Sequence, residues 1–189
     1  MHANTKKMVT AALLAAFTCI STMVIKIQTP TFGYIHLGDG LVLLCGILMG
    51  PAAGALAAGI GSMLADIFSG YASFAPATLI IKALTAFTAG FLFHKLTRRL
   101  PSGKARRIGV LASGLPAEAV MTAGYFLYEA GLAAISSGGF TKAALAAGVT
   151  ASFAGVPFNA VQGAVGVAIC LALLPILQKI PNIWTETNP

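Results

Sequence analysis

Charged side chains are confined to a few short segments of this chain, and this distribution restricts the fold more than any other feature. The residues from Met8 to Leu177 are apolar over almost their whole length. Only 9% of the 189 residues are charged and 57% are hydrophobic, whereas a water-soluble domain carries roughly a quarter of its residues as charges. A surface so poor in charge is stable when lipid covers it. The sequence therefore predicts an all-α membrane protein.

Six apolar stretches are long enough, alone or with their flanks, to be membrane-spanning helices of about 20 residues. They lie at approximately 8–25, 40–49, 52–68, 75–93, 108–128 and 146–174. The second stretch is short for a complete crossing unless Tyr34–Leu37 or part of the next helix contributes. Since no polar stretch is long enough for a second domain, residues 1–189 are predicted to form one bundle of six helices.

The basic residues predict how the bundle is oriented. With six spans, both termini and the loop after span four share one side. That side holds most of the lysines and arginines: Lys6, Lys7, Lys95, Arg98, Arg99, Lys104, Arg106, Arg107 and Lys179. The opposite side holds only Lys26 and Lys142. Because cytoplasmic loops are rich in lysine and arginine, we expect both termini in the cytoplasm.

Several classes of function receive no support from the residues. The net charge of +7 does not indicate nucleic-acid binding, since the basic residues lie at the ends of apolar spans, where they meet lipid headgroups. Cys19, Cys45 and Cys170 lie in apolar stretches without metal-ligand spacing, so we expect small buried residues. There is no phosphate-binding loop, HExxH or GxSxG motif. We expect neither an enzyme nor a bound metal or cofactor.

Polar side chains inside the spans or at their predicted outer ends are candidates for a binding site. They are Tyr34, His36, Asp39, Asp66, Lys82, Glu118, Tyr125, Asn159 and Gln162. A charge inside a membrane costs about 3 kcal/mol or more unless it is paired or faces a cavity. Lys82 and Glu118 lie two to three helical turns below the outer ends of their spans, so these groups are expected to converge on one cavity open to the outside. The alternative is a structural Lys82–Glu118 ion pair that joins two helices.

Small residues at four-residue spacing predict where helices approach closely in lipid. The first helix has two overlapping pairs, Ala11 with Ala15 and Ala12 with Ala16. These pairs are candidates for contact with a partner protein, and the residues alone do not distinguish between them. Similar rows in the later helices are expected to pack inside the bundle.

Three motifs stand out between Thr29 and Leu84. They are IHLGD before the second helix, GPAAGALAAGIGSMLADI in the third and APATLIIKAL at the start of the fourth. This segment, with the alanine pair of the first helix, resembles the substrate-binding S-components of energy-coupling factor (ECF) vitamin transporters. Six helices and about 190 residues also fit that family, although the second half of the chain matches it only in architecture.

The resemblance implies a transporter subunit in the plasma membrane of a prokaryote, without an ATPase of its own. Such a subunit captures a vitamin or precursor from outside and docks on a module of one transmembrane coupling protein and two ATPases. It then topples in the membrane to deliver its cargo. The resemblance also implies that the alanines of the first helix contact the coupling protein, and that the loop Lys26–Asp39 acts as a lid.

The identity of the substrate is less constrained than its class. The few polar groups favour a single-ring hydroxylated compound, pyridoxine-like or hydroxymethylpyrimidine-like, and riboflavin and pantothenate remain alternatives. A different class of function is a membrane assembly protein that uses small-residue helix faces only to bind partners. That alternative predicts that Lys82, Glu118 and Asn159 satisfy one another, with no cavity between them.

Overall fold

The structure, a computed structural model, describes residues 3–31, 33–98, 103–177 and 179. These residues form seven helices and one two-stranded hairpin. The helices are α1 (Ala3–Val24), α2 (Asp39–Met49), α3 (Pro51–Phe68), α4 (Ala75–Thr97), α5 (Gly103–Ser136), α6 (Lys142–Ser152) and α7 (Val156–Leu177), and the strands are β1 (Lys26–Gln28) and β2 (Tyr34–His36). The prediction of a mostly helical protein is confirmed.

Five of the described helices are long and apolar enough to cross a membrane. The spans are Asn4–Val24, Pro51–Phe68, Ala75–Thr97, Arg106–Ser136 and Val156–Leu177. Helix α2 has 11 residues and is about 16 Å long, about half the thickness of a hydrocarbon core. The predicted count of six spans is therefore not confirmed. The two chain ends, residues 1–2 and 180–189, lie outside the described residues.

The short helix α2 lies at the centre of the bundle. It packs against α1, α3, α4 and α7, and ten of its eleven residues are buried. Leu43 and Leu44 join an apolar core with α4, α5 and α7, whereas Val42 and Cys45 face α1, α3 and α4. A helix enclosed by protein needs no polar face, which explains why this segment reads as a continuous apolar run.

Glycines let neighbouring helices touch backbone to backbone. A Cβ atom on Gly46 of α2 would collide with the carbonyl oxygen of Ala86 in α4, and one on Gly90 would collide with the carbonyl of Gly46. Gly61 of α3 lies in the same way against the backbone of Ala15 in α1. At Gly46 the predicted role of small residues in internal packing is confirmed.

Two predicted spans have different bounds in the structure. The stretch 146–174 is not one helix, because α6 ends at Ser152 and α7 begins at Val156. Gly155 and Pro157 lie at this break, and proline lacks the N–H group that would continue a preceding helix. The predicted span 108–128 lies within the much longer helix α5. At about 50 Å, α5 is longer than a membrane core is thick.

The segment between α1 and α2, where the sequence indicates an ordered loop or a short hairpin, is a hairpin. Strands β1 and β2 pair antiparallel, with Lys26 opposite His36 and Gln28 opposite Tyr34. The hairpin leads directly into α2, whose first residue is Asp39. The three cysteines are free and buried, as expected.

Candidate functional site

The hairpin closes one end of the helix bundle. It is held by one hydrogen bond to each of three helices: Thr31 Oγ1 to Glu129 Oε1 of α5 (3.0 Å), Tyr34 Oη to Asp66 Oδ1 of α3 (2.6 Å), and the backbone N–H of His36 to Gln162 Oε1 of α7 (2.8 Å). In each bond the hairpin supplies the donor and the helix supplies the acceptor. The hairpin is therefore attached to the bundle by polar contacts, which water can replace.

A cavity lies between the hairpin and the helix ends, with an empty volume of about 350 Å³ counted out to its mouth. Its lining comes from the hairpin, α3, α4, α5, α7 and the turn before α4: Thr29, Gly33, Tyr34, His36, Asp66, Phe74, Thr78, Tyr125, Glu129 and Asn159. Part of this volume is open to solvent, so the enclosed space is smaller than the figure itself.

Tyr34 and Phe74 form an aromatic wall of the cavity, and neighbouring rings pack against them. The ring of Tyr34 lies 4.6 Å from that of Tyr71 and 5.5 Å from that of His36, measured between centroids. Phe74 packs edge-on against Tyr128 at 5.1 Å, and the Tyr128 hydroxyl donates to a carbonyl of the turn before α4. Such a wall offers a planar ligand both stacking and edge-on contact.

Polar groups with unused hydrogen-bonding capacity face the same space. Asn159 is only 6% exposed, and no other described side chain bonds to its amide. The second carboxyl oxygens of Asp66 and Glu129 are buried and lack a hydrogen-bond partner among the described residues. An amide and two carboxyl groups can bind the hydroxyl, amino or imide groups of a ligand.

A fully buried ion pair lies one layer deeper than the cavity. Lys82 Nζ of α4 donates to Asp39 Oδ1 at the start of α2, and both side chains are 0% exposed. Gln162 Nε2 donates to the other Asp39 oxygen at 2.6 Å. The ammonium group of Lys82 also lies 5.2 Å from the centre of the Tyr125 ring. The Asp39 carboxylate thus has a donor on each oxygen, and its position at a helix N-terminus favours negative charge as well.

The alternative Lys82–Glu118 ion pair is wrong. Lys82 pairs with Asp39 instead, because α2 and the hairpin insert between the longer helices and bring Asp39 against α4. Glu118 of α5 is 5% exposed, and neither of its carboxyl oxygens has a hydrogen-bond partner among the described residues. It borders the ion pair without joining it.

Two titratable groups of the hairpin respond to burial. Burial, together with the nearby charge of Lys82, lowers the pKa of His36 to about 3. His36 Nδ1 also accepts a hydrogen bond from the backbone N–H of Gly38 at 3.0 Å, which requires this nitrogen to be unprotonated. Burial and the hydrogen bond to Asp66 raise the pKa of Tyr34. Both side chains are therefore neutral at physiological pH.

The nine predicted site residues fall into two connected layers. The cavity layer contains Tyr34, His36, Asp66, Tyr125 and Asn159. The buried layer contains Asp39, Lys82, Glu118 and Gln162. Through its backbone N–H, His36 joins the two layers at Gln162.

Five cavity residues lie outside the predicted set of site residues: Thr29, Gly33, Phe74, Thr78 and Glu129. Thr78 precedes Lys82 by four positions and Glu129 follows Tyr125 by four, so helical spacing could have placed both on the inward faces of α4 and α5. Phe74 carried no such signal, because it lies in a turn.

The structure also tests the assembly-protein alternative. That alternative required Lys82, Glu118 and Asn159 to satisfy one another without a cavity. Instead, Lys82 is paired with Asp39, Glu118 has no hydrogen-bond partner within the described part of the chain, and Asn159 lines a cavity. This prediction of the alternative is wrong.

The two alanine pairs of α1 differ in exposure. Ala11 and Ala15 are half-buried against α2 and α3, whereas Ala12 and Ala16 are exposed. Exposed apolar side chains, such as Leu13 and Phe17, surround the second pair. Only Ala12 and Ala16 can therefore present a flat small-residue surface to another helix.

Comparisons with known proteins agree with the fold and the resemblance. Residues 2–179 match the sequence profile of the family described as "ECF-type riboflavin transporter, S component". A solved structure, described as "Structure and mechanism of the S component of a bacterial ECF transporter", superposes with a TM-score of 0.62. It is 21% identical, and the match covers 93% of this chain and 96% of that one, so it shows a shared fold.

An uncharacterised protein of Pyrococcus woesei is 40% identical over 73 residues, which is 38% of this chain. The match covers 49% of that protein, so the chain spans about half the length of this relative. The profile match, by contrast, extends over nearly the whole chain, and the apolar helices agree with it. The chain therefore belongs to the S-component family of ECF-type riboflavin transporters, a family of membrane transport subunits rather than enzymes.

Proposed function

We propose that this protein captures riboflavin in the cavity beneath the hairpin and holds it for delivery across the membrane. The observation that carries the proposal is the combination of one aromatic wall with three polar groups whose bonding capacity is unused. Stacking by Tyr34 and Phe74 suits a flat ring system. Asn159, Asp66 and Glu129 suit the imide and hydroxyl groups at its edges.

The four residues of the buried layer support this site from below. Asp39 and Lys82 neutralise each other. Gln162 links this pair to the hairpin, because its amide nitrogen donates to Asp39 and its amide oxygen accepts from the backbone N–H of His36. Any ligand that contacts His36 therefore rests on a fixed platform. These residues act by positioning, whereas the cavity residues contact the ligand.

A single-ring vitamin precursor is the second candidate. The small number of polar groups that line the cavity favours a pyridoxine-like or hydroxymethylpyrimidine-like compound over a larger one. The family description favours riboflavin. The two candidates differ in size and can be compared directly.

Calorimetric titration of the purified protein with riboflavin, pyridoxine and hydroxymethylpyrimidine tests both candidates. We expect saturable binding of riboflavin, and a loss of at least tenfold in affinity in the Asn159→Leu variant, because an unsatisfied polar group of the ligand costs about 1–3 kcal/mol. Thr150→Val is the matched control, since it removes a polar group from an exposed position of α6.

The outcomes are distinct. Tight binding of a single-ring compound with none of riboflavin would replace the first candidate by the second. Absence of binding by all three compounds would contradict the proposal. Equal affinity of the Asn159→Leu variant and the wild type would show that the ligand occupies a different place.

We further propose that residues 1–189 form one domain that crosses a prokaryotic plasma membrane six times, with both termini in the cytoplasm. Lys82 is the eighth residue of α4, about 10 Å along that helix. Because α2 begins at the partner of Lys82, it starts at this depth, and its length of about 16 Å covers most of the remaining distance. The hairpin would then complete the second crossing.

The proposed partners are a transmembrane coupling protein and two ATPases, with Ala12 and Ala16 contacting the coupling protein. Co-purification of the module with the Ala12→Leu and Ala16→Leu variants tests this contact. We expect loss of the complex with riboflavin binding unchanged. Ala112→Leu, at an exposed position of α5, is the control, and equal loss of the complex there would contradict a specific role for α1.

A further inference from the structure

Glu118 occupies a niche that is built around a carboxyl group but supplies no donor to it. Its side chain is 5% exposed, and both oxygens are buried without a hydrogen-bond partner among the described residues. Two glycines of α7 make the space. A Cβ atom on Gly163 would lie 3.2 Å from Glu118 Oε2, and one on Gly166 would lie 3.3 Å from Oε1.

The donors near Glu118 are committed to Asp39. Lys82 and Gln162 each donate to one oxygen of that carboxylate. The backbone N–H of His36 can only donate, so it requires the amide oxygen of Gln162 on its side. The amide nitrogen of Gln162 consequently faces Asp39. While the hairpin is closed, this amide cannot turn to serve Glu118.

The charges around Glu118 also disfavour a second negative charge. Asp39 faces it from α2 and Lys82 from α4, and these two charges already cancel. A Cβ atom on Gly166 would lie only 2.8 Å from the Cβ atom of Asp39, so the two acidic groups border the same point of α7.

The titratable group that faces Glu118 from α7 adds no positive charge, because it is the thiol of Cys170. The only acidic or basic side chain of α6 is Lys142, at its first residue.

We propose that Glu118 is a proton-binding site coupled to the hairpin. With the hairpin closed, its carboxyl is a neutral acid, because a buried carboxylate without donors is strongly disfavoured. Opening the hairpin breaks the bond between His36 and Gln162, admits water, and releases the proton to that water, since a hydrated glutamate is ionised at neutral pH. Closure takes one proton from water onto a Glu118 oxygen. Each opening of the hairpin is thus accompanied by release of one proton, and each closure by uptake of one.

Infrared spectroscopy of the full chain in lipid nanodiscs tests the site without any ligand. The chain contains three glutamates, at positions 118, 129 and 186. In the Glu129→Gln/Glu186→Gln variant, Glu118 is the only one left, and ¹³C-glutamate labelling shifts its band alone. We expect a labelled carbonyl stretch of a protonated carboxyl at pH 7. A labelled band of an ionised carboxylate at pH 7 would overturn the proposal.

The rate of riboflavin dissociation tests the coupling and rests on the proposed binding of riboflavin. The hairpin must open before the ligand leaves, and each opening releases a proton, so the open fraction rises with pH. We expect the rate to rise, by up to tenfold per pH unit, between pH 7 and 8.5 for the wild type and for Glu186→Gln, and to be independent of pH for Glu118→Gln. A rate independent of pH in the wild type would overturn the coupling. Absence of riboflavin binding would contradict the proposed function instead, and the infrared result would still decide the proton site.

Discussion

The buried pair of Asp39 and Lys82 allows a quantitative prediction about folding. Both side chains are completely buried, so replacing one of them leaves the other as an uncompensated charge inside the bundle. We compare Asp39→Asn, Lys82→Met and the double variant, which keep side-chain size nearly constant. The chain offers Lys142→Met as a control, because Lys142 is exposed.

The expected magnitudes follow from the burial of the pair. Removal of one partner from a buried ion pair costs about 3–5 kcal/mol, whereas replacing both partners by neutral groups of similar size is often close to neutral. We therefore expect each single variant to lose about 3–5 kcal/mol of unfolding free energy. The double variant should lose less than either single variant, because no isolated charge remains in it. The control should change by less than about 0.5 kcal/mol.

Denaturant-induced unfolding in one detergent, followed by circular dichroism, gives the free energies for the four variants and the wild type. The interaction energy is the difference between the double variant and the sum of the two singles. A loss in the double variant equal to the sum of the two single losses would refute the reasoning, because it would show that each charge is stabilised independently of the other. Single losses below about 1 kcal/mol would show that water reaches the pair.

Three further predictions concern the hairpin and the helix contacts. The pKa of His36 is about 3 in the folded state, so below pH 6.5 the unfolded state binds a proton that the folded state does not. The free energy of unfolding should therefore fall by up to about 1.4 kcal/mol per pH unit below 6.5. In unfolding curves measured from pH 7.5 to 5.5, His36→Gln should reduce this pH dependence. Gly46→Ala should cost about 1–3 kcal/mol or more in the same assay, whereas Gly131→Ala, where a Cβ atom meets nothing, should cost nothing; equal effects would contradict the close α2–α4 contact. Thr31→Val removes the donor to Glu129 and should speed riboflavin dissociation about tenfold, whereas an unchanged dissociation rate would contradict a role for this bond in holding the hairpin closed.

Sequence reasoning located the helices well where apolar runs were bounded by turn residues. The stretches 52–68 and 75–93 agree with α3 and α4 within a few residues. It failed at 146–174, where Gly155 and Pro157 interrupt a run that carries no charge and is mostly apolar. It also underestimated α5, because Glu129 and Gly131, which indicate a loop beyond Tyr128, lie within the helix instead of ending it. Apolar content indicates that a segment is buried in lipid or protein. It does not indicate where the backbone hydrogen bonds of a helix end.

The candidate site was predicted as one cavity, and the structure separates it into two layers. Asp66, Tyr125 and Asn159 line the cavity as expected. Glu118 and Lys82, which were expected to line it as well, lie beneath it. From the sequence we infer that a charged side chain inside a span must be stabilised. The sequence does not show whether that side chain pairs with an opposite charge or faces a cavity.

By itself, the sequence determined that lipid surrounds this protein, that its helices pack through small residues, and that its family is one of vitamin transport subunits. These properties follow from composition, spacing and local motifs. Only the tertiary structure decided that Lys82 is paired with Asp39, that Glu118 has no donor, and that Ala12 and Ala16 face outward while Ala11 and Ala15 do not. Asp39 is 43 positions from Lys82 and its other donor, Gln162, is 123 positions away. Contacts between such distant residues depend on where the hairpin and α2 insert into the bundle, which no local pattern encodes.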